Sequence, residues 1–313
     1  KIGPGLKYLV QPLRLLQRFM HRNTLRGSRK NIEAHYDLGN DLFGLFLDDT
    51  MMYSCGIFHN EHASLQDASE AKLARICEKL QLSPSDHVLE IGTGWGGFAL
   101  YAARHHGCRV TTTTISRQQY EYAVERVKSA GLEDRITILF DDYRELQGQY
   151  DKLVSIEMIE AVGHRYFDTY FRKCNELLKP DGMMLLQSIT IADQRYPRMK
   201  KSTDFIQRYI FPGGCLPSVS VLGDAIARKT DMRIFHLEDI GPHYATTLKK
   251  WRERFFANLE QVRQLGYPER FIRMWEYYLC YCEGGFRQQS IGTVQLLLAK
   301  PRALRAPLAS TDY

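Results

Sequence analysis

Residues 1–30 contain no aspartate or glutamate, yet they carry eight lysines and arginines. The chain of 313 residues has 42 basic and 36 acidic side chains, so beyond residue 30 the balance is 34 against 36. The net charge of +6 is therefore local, which argues against a polyanion-binding surface spread over the whole molecule. No apolar run reaches the roughly 18 residues that a membrane-spanning helix requires. The chain opens Lys1-Ile2-Gly3-Pro4 without a methionine. That reads as a cleaved or truncated start, and no signal-peptide pattern is visible. No CxxC pair occurs among the seven cysteines, at 55, 77, 108, 174, 215, 280 and 282. Odd in number and scattered, they suggest neither a disulfide framework nor a metal site, and they fit a reduced, cytoplasmic setting. Internal repeats and low-complexity linkers are also missing.

What remains is ordinary globular composition, 44% hydrophobic and 25% charged, enough to bury a sizeable core. Within the basic segment, Arg14, Arg18, Arg22 and Arg26 recur every four residues and fall on one helical face. Leu13, Leu16, Phe19 and Met20 supply apolar neighbours. Two readings fit: a helix for an anionic membrane surface, or a helix docked on its own protein with a solvated basic face.

From residue 64 the pattern alternates. Helical periodicity marks 64–82, 97–106, 116–130, 165–179 and 219–230. Strand-like runs mark 87–91, 109–115, 136–140, 152–156, 183–191, 233–240 and 293–299. Seven strands separated by helices predict an α/β fold with a mostly parallel sheet and helices on both faces. Two longer helical patterns, 243–265 and 268–288, fall between the sixth and seventh strands as a helical lid. The predicted organisation is an N-terminal helical extension and donor-site cover (1–60), a catalytic domain (61–300) with a helical insertion at about 242–289, and a tail (301–313).

The stretch "VLEIGTGWGGFAL" (88–100) follows the first predicted strand and opens a helix. Gly92, Gly94 and Gly97 satisfy GxGxxG, a pattern that brings a ligand close to the backbone. A dinucleotide site expects an acid about 20 residues on, but the second strand reads "TTTTIS" (111–116). The third strand ends Asp141-Asp142-Tyr143, suited to an adenine amino group and a stacking face. Glu90 is placed to satisfy backbone N–H groups of the loop. This combination favours S-adenosylmethionine over NAD.

A second stretch, "VSIEMIEAVGHRYFDTYF" (154–171), puts Glu157 and Glu160 at the end of an apolar strand. Each is a candidate for capping a helix or for holding something in a site. His164 and His243 can titrate, but their expected role is structural.

Six ordered blocks now matter together: "HYDLGNDLFGLFLDDTMMYSCGIF" (35–58), "LEIGTGWGGFA" (89–99), "IEAVGH" (159–164), "YIFPGGCLPS" (209–218), "HYATTLKKW" (243–251) and "YYLCYCEGGFR" (277–287). They resemble the cyclopropane-fatty-acyl-phospholipid synthase family, which includes the mycolic acid cyclopropane synthases. The resemblance runs from about Asn31 to Lys300. It implies a class I (Rossmann-like) S-adenosylmethionine-dependent methyltransferase fold. It further implies transfer of a methylene or methyl group to the cis double bond of an unsaturated acyl chain in a membrane phospholipid.

Carried over by match, Tyr36, Tyr53 and Ser54 would touch the methionine end of the donor. The loop Gly92, Thr93, Gly94, Trp95 and Gly96 would cradle it. Thr114, Ser116 and Gln119 would approach the ribose, with Asp142 and Tyr143 beside adenine. The family's glutamate that helps hold a bicarbonate ion corresponds to Glu160. Cys55 and Tyr244 correspond to two further members of that site, and Gln187 stands where the family usually has histidine. Gln donates a neutral hydrogen bond but cannot titrate. Glu157 is then left as a helix-start acid. Cys282 matches a cysteine sometimes proposed as catalytic, although a packing role is the simpler reading because the donor's methyl is already activated.

The chemistry rationalises such a site. An isolated alkene must be held close to the donor methyl in a dry pocket. The carbocation left by methyl attack is stabilised by aromatic faces, for which Phe205, Tyr209, Phe211 and Tyr244 are candidates. A base, expected to be bicarbonate, then removes a proton. Proton loss from the transferred methyl closes a cyclopropane. Other outcomes are methyl- or methylene-branched chains or furan precursors. A small-molecule methyltransferase and a non-catalytic lipid-binding protein are the remaining alternatives. The expected partners are unsaturated phospholipids at the anionic inner membrane surface, without nucleic acid, and a homodimer is compatible with the resemblance.

Overall fold

The computed structural model describes Thr24, Gly27 and residues 39–304. Tyr36 and the stripe Arg14, Arg18, Arg22 and Arg26 lie outside the described residues. Among those described, the seven expected strands are β1 (His87–Ile91), β2 (Arg109–Thr113), β3 (Ile136–Leu139), β4 (Tyr150–Ile156), β5 (Leu178–Ile191), β6 (Arg233–Asp239) and β7 (Ile291–Ala299). They form one sheet in the order β3-β2-β1-β4-β5-β7-β6. The first five strands pair parallel. β7 runs antiparallel between β5 and β6. The chain winds outward from β1 to β3, then returns to lay β4 on the other side of β1. Ligands bind at such a reversal, beyond the carboxyl ends of the strands.

Before the sheet come α1 (Asn40–Phe46) and α2 (Leu65–Leu80). Ser64 opens α2 through a capping box with Asp67, which satisfies backbone donors at both ends of the first turn. Helices α3 (Gly97–His106) and α4 (Arg117–Ser129) follow β1 and β2, and the short α5 (Ile159–Val162) and α6 (Phe167–Leu177) follow β4. Beyond β5 come two short helices, α7 (Tyr196–Met199) and α8 (Phe205–Tyr209), and then α9 (Val219–Lys229). Between β6 and β7 lie α10 (Gly241–Ala257), α11 (Leu259–Gln264) and α12 (Glu269–Arg287).

Strand alternation sorts the apolar residues onto the two sheet faces. Leu89 and Ile91 of β1 and Leu296 and Leu298 of β7 join α6 and α9 in one core. Val88, Leu297 and Ala299 join α2 and α3 in the other. A third, aromatic core unites α1 with α10 and α12 through Phe43, Phe46, Trp251, Phe255 and Trp275. The helices between β6 and β7 differ from the sequence pattern in one respect. The periodic stretch 243–265 is two helices, because Asn258 leaves the helical conformation and donates its side-chain amide to Leu45 O at 2.7 Å. No helix among the described residues is long and apolar enough to cross a membrane.

Candidate active site

The glycine loop lies between β1 and α3 and turns on backbone geometry that glycine adopts freely. Gly92, Gly94 and Gly96 have φ of 103°, 52° and 86°, in the region closed to most side chains. The three glycines of the motif do different work. A Cβ on Gly92 would sit 3.3 Å from Met158, whereas one on Gly94 would face open space. A Cβ on Gly97 would lie 2.6 Å from both Met52 Sδ and Thr50 O, so that glycine lets α3 pack against the segment before α2.

The cleft over this loop is lined by Tyr53, Ser54, Glu90, Gly92, Thr93, Gly94, Trp95, Thr114, Gln119, Asp142 and Tyr143, all expected at a donor site. Asp141, which the sequence placed with Asp142 and Tyr143 at the end of the third strand, lines it too, as do Met51, Met52, Ile115, Met158 and Glu157, which sequence reasoning did not place there. The open cradle at Gly94, with an acid and an aromatic ring at the end of β3, fits a nucleoside-bearing donor. Gly96 and Ser116 stand behind this lining. Gly96 is the N-cap of α3, and Ser116 caps α4 by accepting from Gln119 N at 3.3 Å.

Two side chains hold different partners from those expected. Glu90 does not receive the loop amides, because Gly92 N and Thr93 N both donate to Thr113 O. It accepts instead from Thr112 Oγ1 at 2.7 Å, and Thr112 is in turn 2.8 Å from Thr93 Oγ1. Burial pushes the Glu90 carboxyl up to about 8. Asp142 accepts from Arg144 through both oxygens, at 2.7 Å each. A carboxylate has about four acceptor sites, so the pair positions Asp142 at the cleft without exhausting it.

The second cluster corrects the reading of the two glutamates. Glu157 is no helix-start acid. It precedes the four-residue α5 with a left-handed φ of 50°, and that turn sends its carboxylate inward. Oε1 accepts from Cys55 N at 3.0 Å and from Gln187 Nε2 at 2.8 Å, and Oε2 accepts from Tyr244 OH at 2.6 Å. The structure thus gathers Cys55, Gln187 and Tyr244 around Glu157 rather than Glu160. Glu160 is held apart, on α5, by Ser188 Oγ at 3.0 Å and by a short hydrogen bond from Ile189 N.

Burial raises both carboxyls, Glu160 to about 8 with Glu157 adding repulsion. At Glu157 the hydrogen bonds and the charge of Lys72 oppose burial without reversing it. Lys72 is fully buried on α2 and donates to Ser54 Oγ at 2.7 Å. Burial lowers its ammonium to about 8 against the pull of Glu157 and Asp48. Its position on the inward face of an otherwise amphipathic helix was the available sequence signal.

The orientation of Gln187 is set from across the sheet. Gln187, Gln295 and Glu238 are successive cross-strand neighbours on β5, β7 and β6. Gln187 Oε1 accepts from Gln295 Nε2 at 3.0 Å, and Gln295 Oε1 accepts from Lys79 Nζ at 2.6 Å. Lys79 pairs closely with Glu238, which also holds Arg75 at 3.3 Å. The amide nitrogen of Gln187 is thereby aimed at Glu157.

Aromatic rings close the site. Tyr244 stacks on Phe286 at 4.3 Å, and Tyr53 lies 5.1 Å from Trp251 with its hydroxyl 2.8 Å from Tyr278 OH. Phe211 approaches Tyr53 at 6.4 Å. Phe205 and Tyr209 instead pair at the surface, where Tyr209 is 51% exposed. Cys282 is half-buried on α12 against the aromatic core, and burial pushes its thiol up to about 12, which suits packing rather than thiolate chemistry. His243 Nδ1 accepts from Phe58 N at 3.3 Å, and burial lowers its pKa. His243 is thus a neutral acceptor in a structural contact.

A sequence profile of the family described as mycolic acid cyclopropane synthetase matches residues 23–296. The chain belongs to that family. It is 42% identical over 280 residues to the tuberculostearic acid methyltransferase of Mycobacterium tuberculosis, covering 87% of this chain and 65% of that protein. It is 43% identical over 273 residues to the cyclopropane-fatty-acyl-phospholipid synthase of Escherichia coli K12, covering 86% of this chain and 67% of that protein. The chain therefore spans about two thirds of the length of these relatives. A mycolic acid cyclopropane synthase solved with SAH and CTAB superposes with a TM-score of 0.81 at 31% identity, covering 87% of this chain and 98% of that one. A cyclopropane synthase of Mycobacterium tuberculosis does so with the same TM-score and coverage at 29% identity. The fold is that of class I S-adenosylmethionine-dependent methyltransferases.

The family resemblance implies a bicarbonate ion at Cys55, Glu160 and Tyr244. The residues present do not fit one there. The donors that would hold an anion, Cys55 N, Gln187 Nε2 and Tyr244 OH, converge on the carboxylate of Glu157. A second anion at that point would meet like charge in a buried setting.

Proposed function

We propose that the protein transfers a methyl group from S-adenosylmethionine to the cis double bond of a phospholipid acyl chain and closes a cyclopropane. The observation that carries this reading is the carboxylate of Glu157, which lines the donor cleft and accepts from Tyr244 of the aromatic core. The donor, when bound, supplies an electrophilic methyl group. Tyr53, Ser54 and Glu157 would face its reactive end, with the Gly92–Gly94 turn beneath it. Tyr53 and Tyr244 present ring faces where positive charge develops on the acyl chain, and cation–π attraction stabilises that charge by about 2 kcal/mol when it is desolvated. The packed rings exclude water that would otherwise capture it.

A second reading has support of its own. The tuberculostearic acid methyltransferase is as similar to this chain as the cyclopropane synthase is. A methyl-branched olefin shares every step up to loss of the proton and differs in which proton leaves, one on the chain rather than one on the transferred methyl. Incubation with S-adenosylmethionine and vesicles of a cis-monounsaturated phospholipid, followed by NMR of the released fatty acids, separates the two. Cyclopropyl protons support ring closure. An olefin retained in a chain heavier by one CH2 identifies a branching methylase. Transfer to a soluble acceptor with none to vesicles rejects both.

Access to a bilayer is served by a described surface as well as by the basic N-terminal segment. Tyr209, Tyr277 and Tyr281 are 51%, 52% and 45% exposed. Phe205 joins them, at 4.6 Å from Tyr277 and 6.4 Å from Tyr281. Exposed Arg195, Arg198, Lys201 and Arg208 belong to the adjoining stretch. Tyrosine rings beside basic residues suit the headgroup level of an anionic membrane. Replacing the three tyrosines with alanine is expected to reduce co-sedimentation with anionic vesicles and leave donor binding intact. Unchanged sedimentation removes this surface from the reading.

A further inference from the structure

We infer that Glu157 is the resident base of the reaction, its carboxylate standing where a diffusible carbonate ion would otherwise be held, so that turnover needs no exogenous anion. This rests on the proposed lipid methylation and names the group that completes it.

Four observations converge. The carboxylate is turned inward by a left-handed backbone at φ 50°. A non-glycine residue adopts that conformation at some cost, typically where the surroundings enforce it. Three donors from three separate parts of the chain meet on its two oxygens: Cys55 before α2, Gln187 on β5 and Tyr244 on α10. It lines the donor cleft next to Ser54 and Met158. Its neighbour Glu160 is built differently, with one oxygen accepting from Ser188 and Ile189, and the other without a hydrogen-bond partner among the described residues.

Charge on Glu157 repels charge on Glu160 and favours a single ionised carboxylate in the pair. Glu160, pushed up to about 8, keeps the proton. Glu157 has the better-stabilised anion, facing Lys72, Tyr244, Cys55 and Gln187. Burial raises the pKa of Glu157 above that of a free carboxylate, which makes it a stronger base for proton removal.

The step balances without a co-reactant. The donor's S–C bond breaks as the alkene pair forms the new C–C bond, leaving a thioether and a cationic acyl carbon. Glu157 then takes one proton from the transferred methyl. The electrons of that C–H bond close the second ring bond, and the proton leaves on the carboxyl group.

The test compares wild type, Glu157→Gln and Glu157→Gly on vesicles of a cis-monounsaturated anionic phospholipid with S-adenosylmethionine. Each protein is assayed in carbon-dioxide-free buffer and in excess bicarbonate, and binding of 13C-bicarbonate is followed by NMR. Donor binding by calorimetry verifies that each variant is folded. Glycine also relieves the left-handed backbone, so it is the variant least exposed to misfolding.

Wild type is expected to turn over equally in both buffers and to retain no bicarbonate. Glu157→Gln should lose about 100-fold or more in both, the range for loss of a general base. Glu157→Gly should be equally poor without bicarbonate, bind the ion, and regain activity with it. Bicarbonate-dependent turnover of wild type, or wild-type turnover by Glu157→Gln, overturns the inference. If wild type converts no lipid, the proposed function fails, and the base is judged by binding alone. Bicarbonate held by Glu157→Gly and not by wild type supports the replacement, and bicarbonate held by wild type overturns it.

Discussion

The parallel half of the sheet and the mixed half are built on different principles. Around β1 to β4 the donor cleft comes mostly from short segments at strand ends: the turn after β1, Thr114 after β2, and Asp142-Tyr143 after β3. Beyond β4, the cluster around Glu157 joins positions 55, 157, 187 and 244, with 295 and 79 behind them. One half needs a local pattern to be right, and the other needs the whole fold. Substitutions should therefore affect separable properties in the two halves.

The most disruptive test of that separation is Gly97→Leu. Its Cβ alone would press on Thr50 O at 2.6 Å, and backbone cannot move aside as a side-chain tip can. Overpacking of this kind costs about 1–3 kcal/mol or more. A clear drop in urea midpoint is expected, together with loss of donor binding. An unchanged midpoint would show that the segment before α2 is free to shift.

Gly94→Val should act on the donor alone. Nothing lies within 4 Å of the added Cβ, but a branched residue at φ 52° costs about 1–2 kcal/mol and intrudes on the cradle. Calorimetry should show donor affinity down at least tenfold, with vesicle binding untouched.

Tyr244→Phe removes one of the three donors to Glu157 while keeping the ring on Phe286. A hydrogen bond to a charged group contributes about 1.5–3 kcal/mol. Turnover should fall by about tenfold or more, with donor affinity preserved. Equal loss of both would erase the distinction between the halves.

The smallest effect concerns Glu160 and appears only with pH. Its carboxyl is raised in the folded state to about 8 from an ordinary value near 4.5. The folded protein therefore binds the proton more tightly, and this group's contribution to stability declines as pH rises from about 4.5 to 8. Glu160→Gln should flatten that part of the melting-temperature profile relative to wild type. A parallel profile would mean that Glu160 is ionised throughout.

The sequence made the first half readable and left the second half partly closed. The alternation from residue 64 foretold all seven strands and the glycine turn, because period-2 and helical patterns are local properties. The resemblance brought in Cys55, Tyr244 and Gln187, and the structure puts them together. It did not reveal that their common partner is Glu157. The sign of φ at that residue is set by the path from β4 into α5, and "SIEMIEAV" reads equally well with either glutamate inward. Lys72 and Lys79 were hidden for a related reason. A lysine on an amphipathic helix is normally solvated, and only the fold brings Ser54 and Glu238 to these two.

The amides of Gln187 and Gln295 face each other head to tail across β5 and β7, between Glu157 at one end and Lys79 at the other. Such a chain has a direction, and each member fixes it for the next. A neutral histidine at 187 keeps the direction only in the tautomer that accepts from Gln295 and donates to Glu157, and a leucine at 295 leaves the Gln187 carbonyl buried without its donor. Positions 79, 187 and 295 therefore work as a relay: whatever stands at 187 must accept on the side of 295 and donate on the side of Glu157, and a residue that can do only one of these leaves a buried polar group unpaired at the other end.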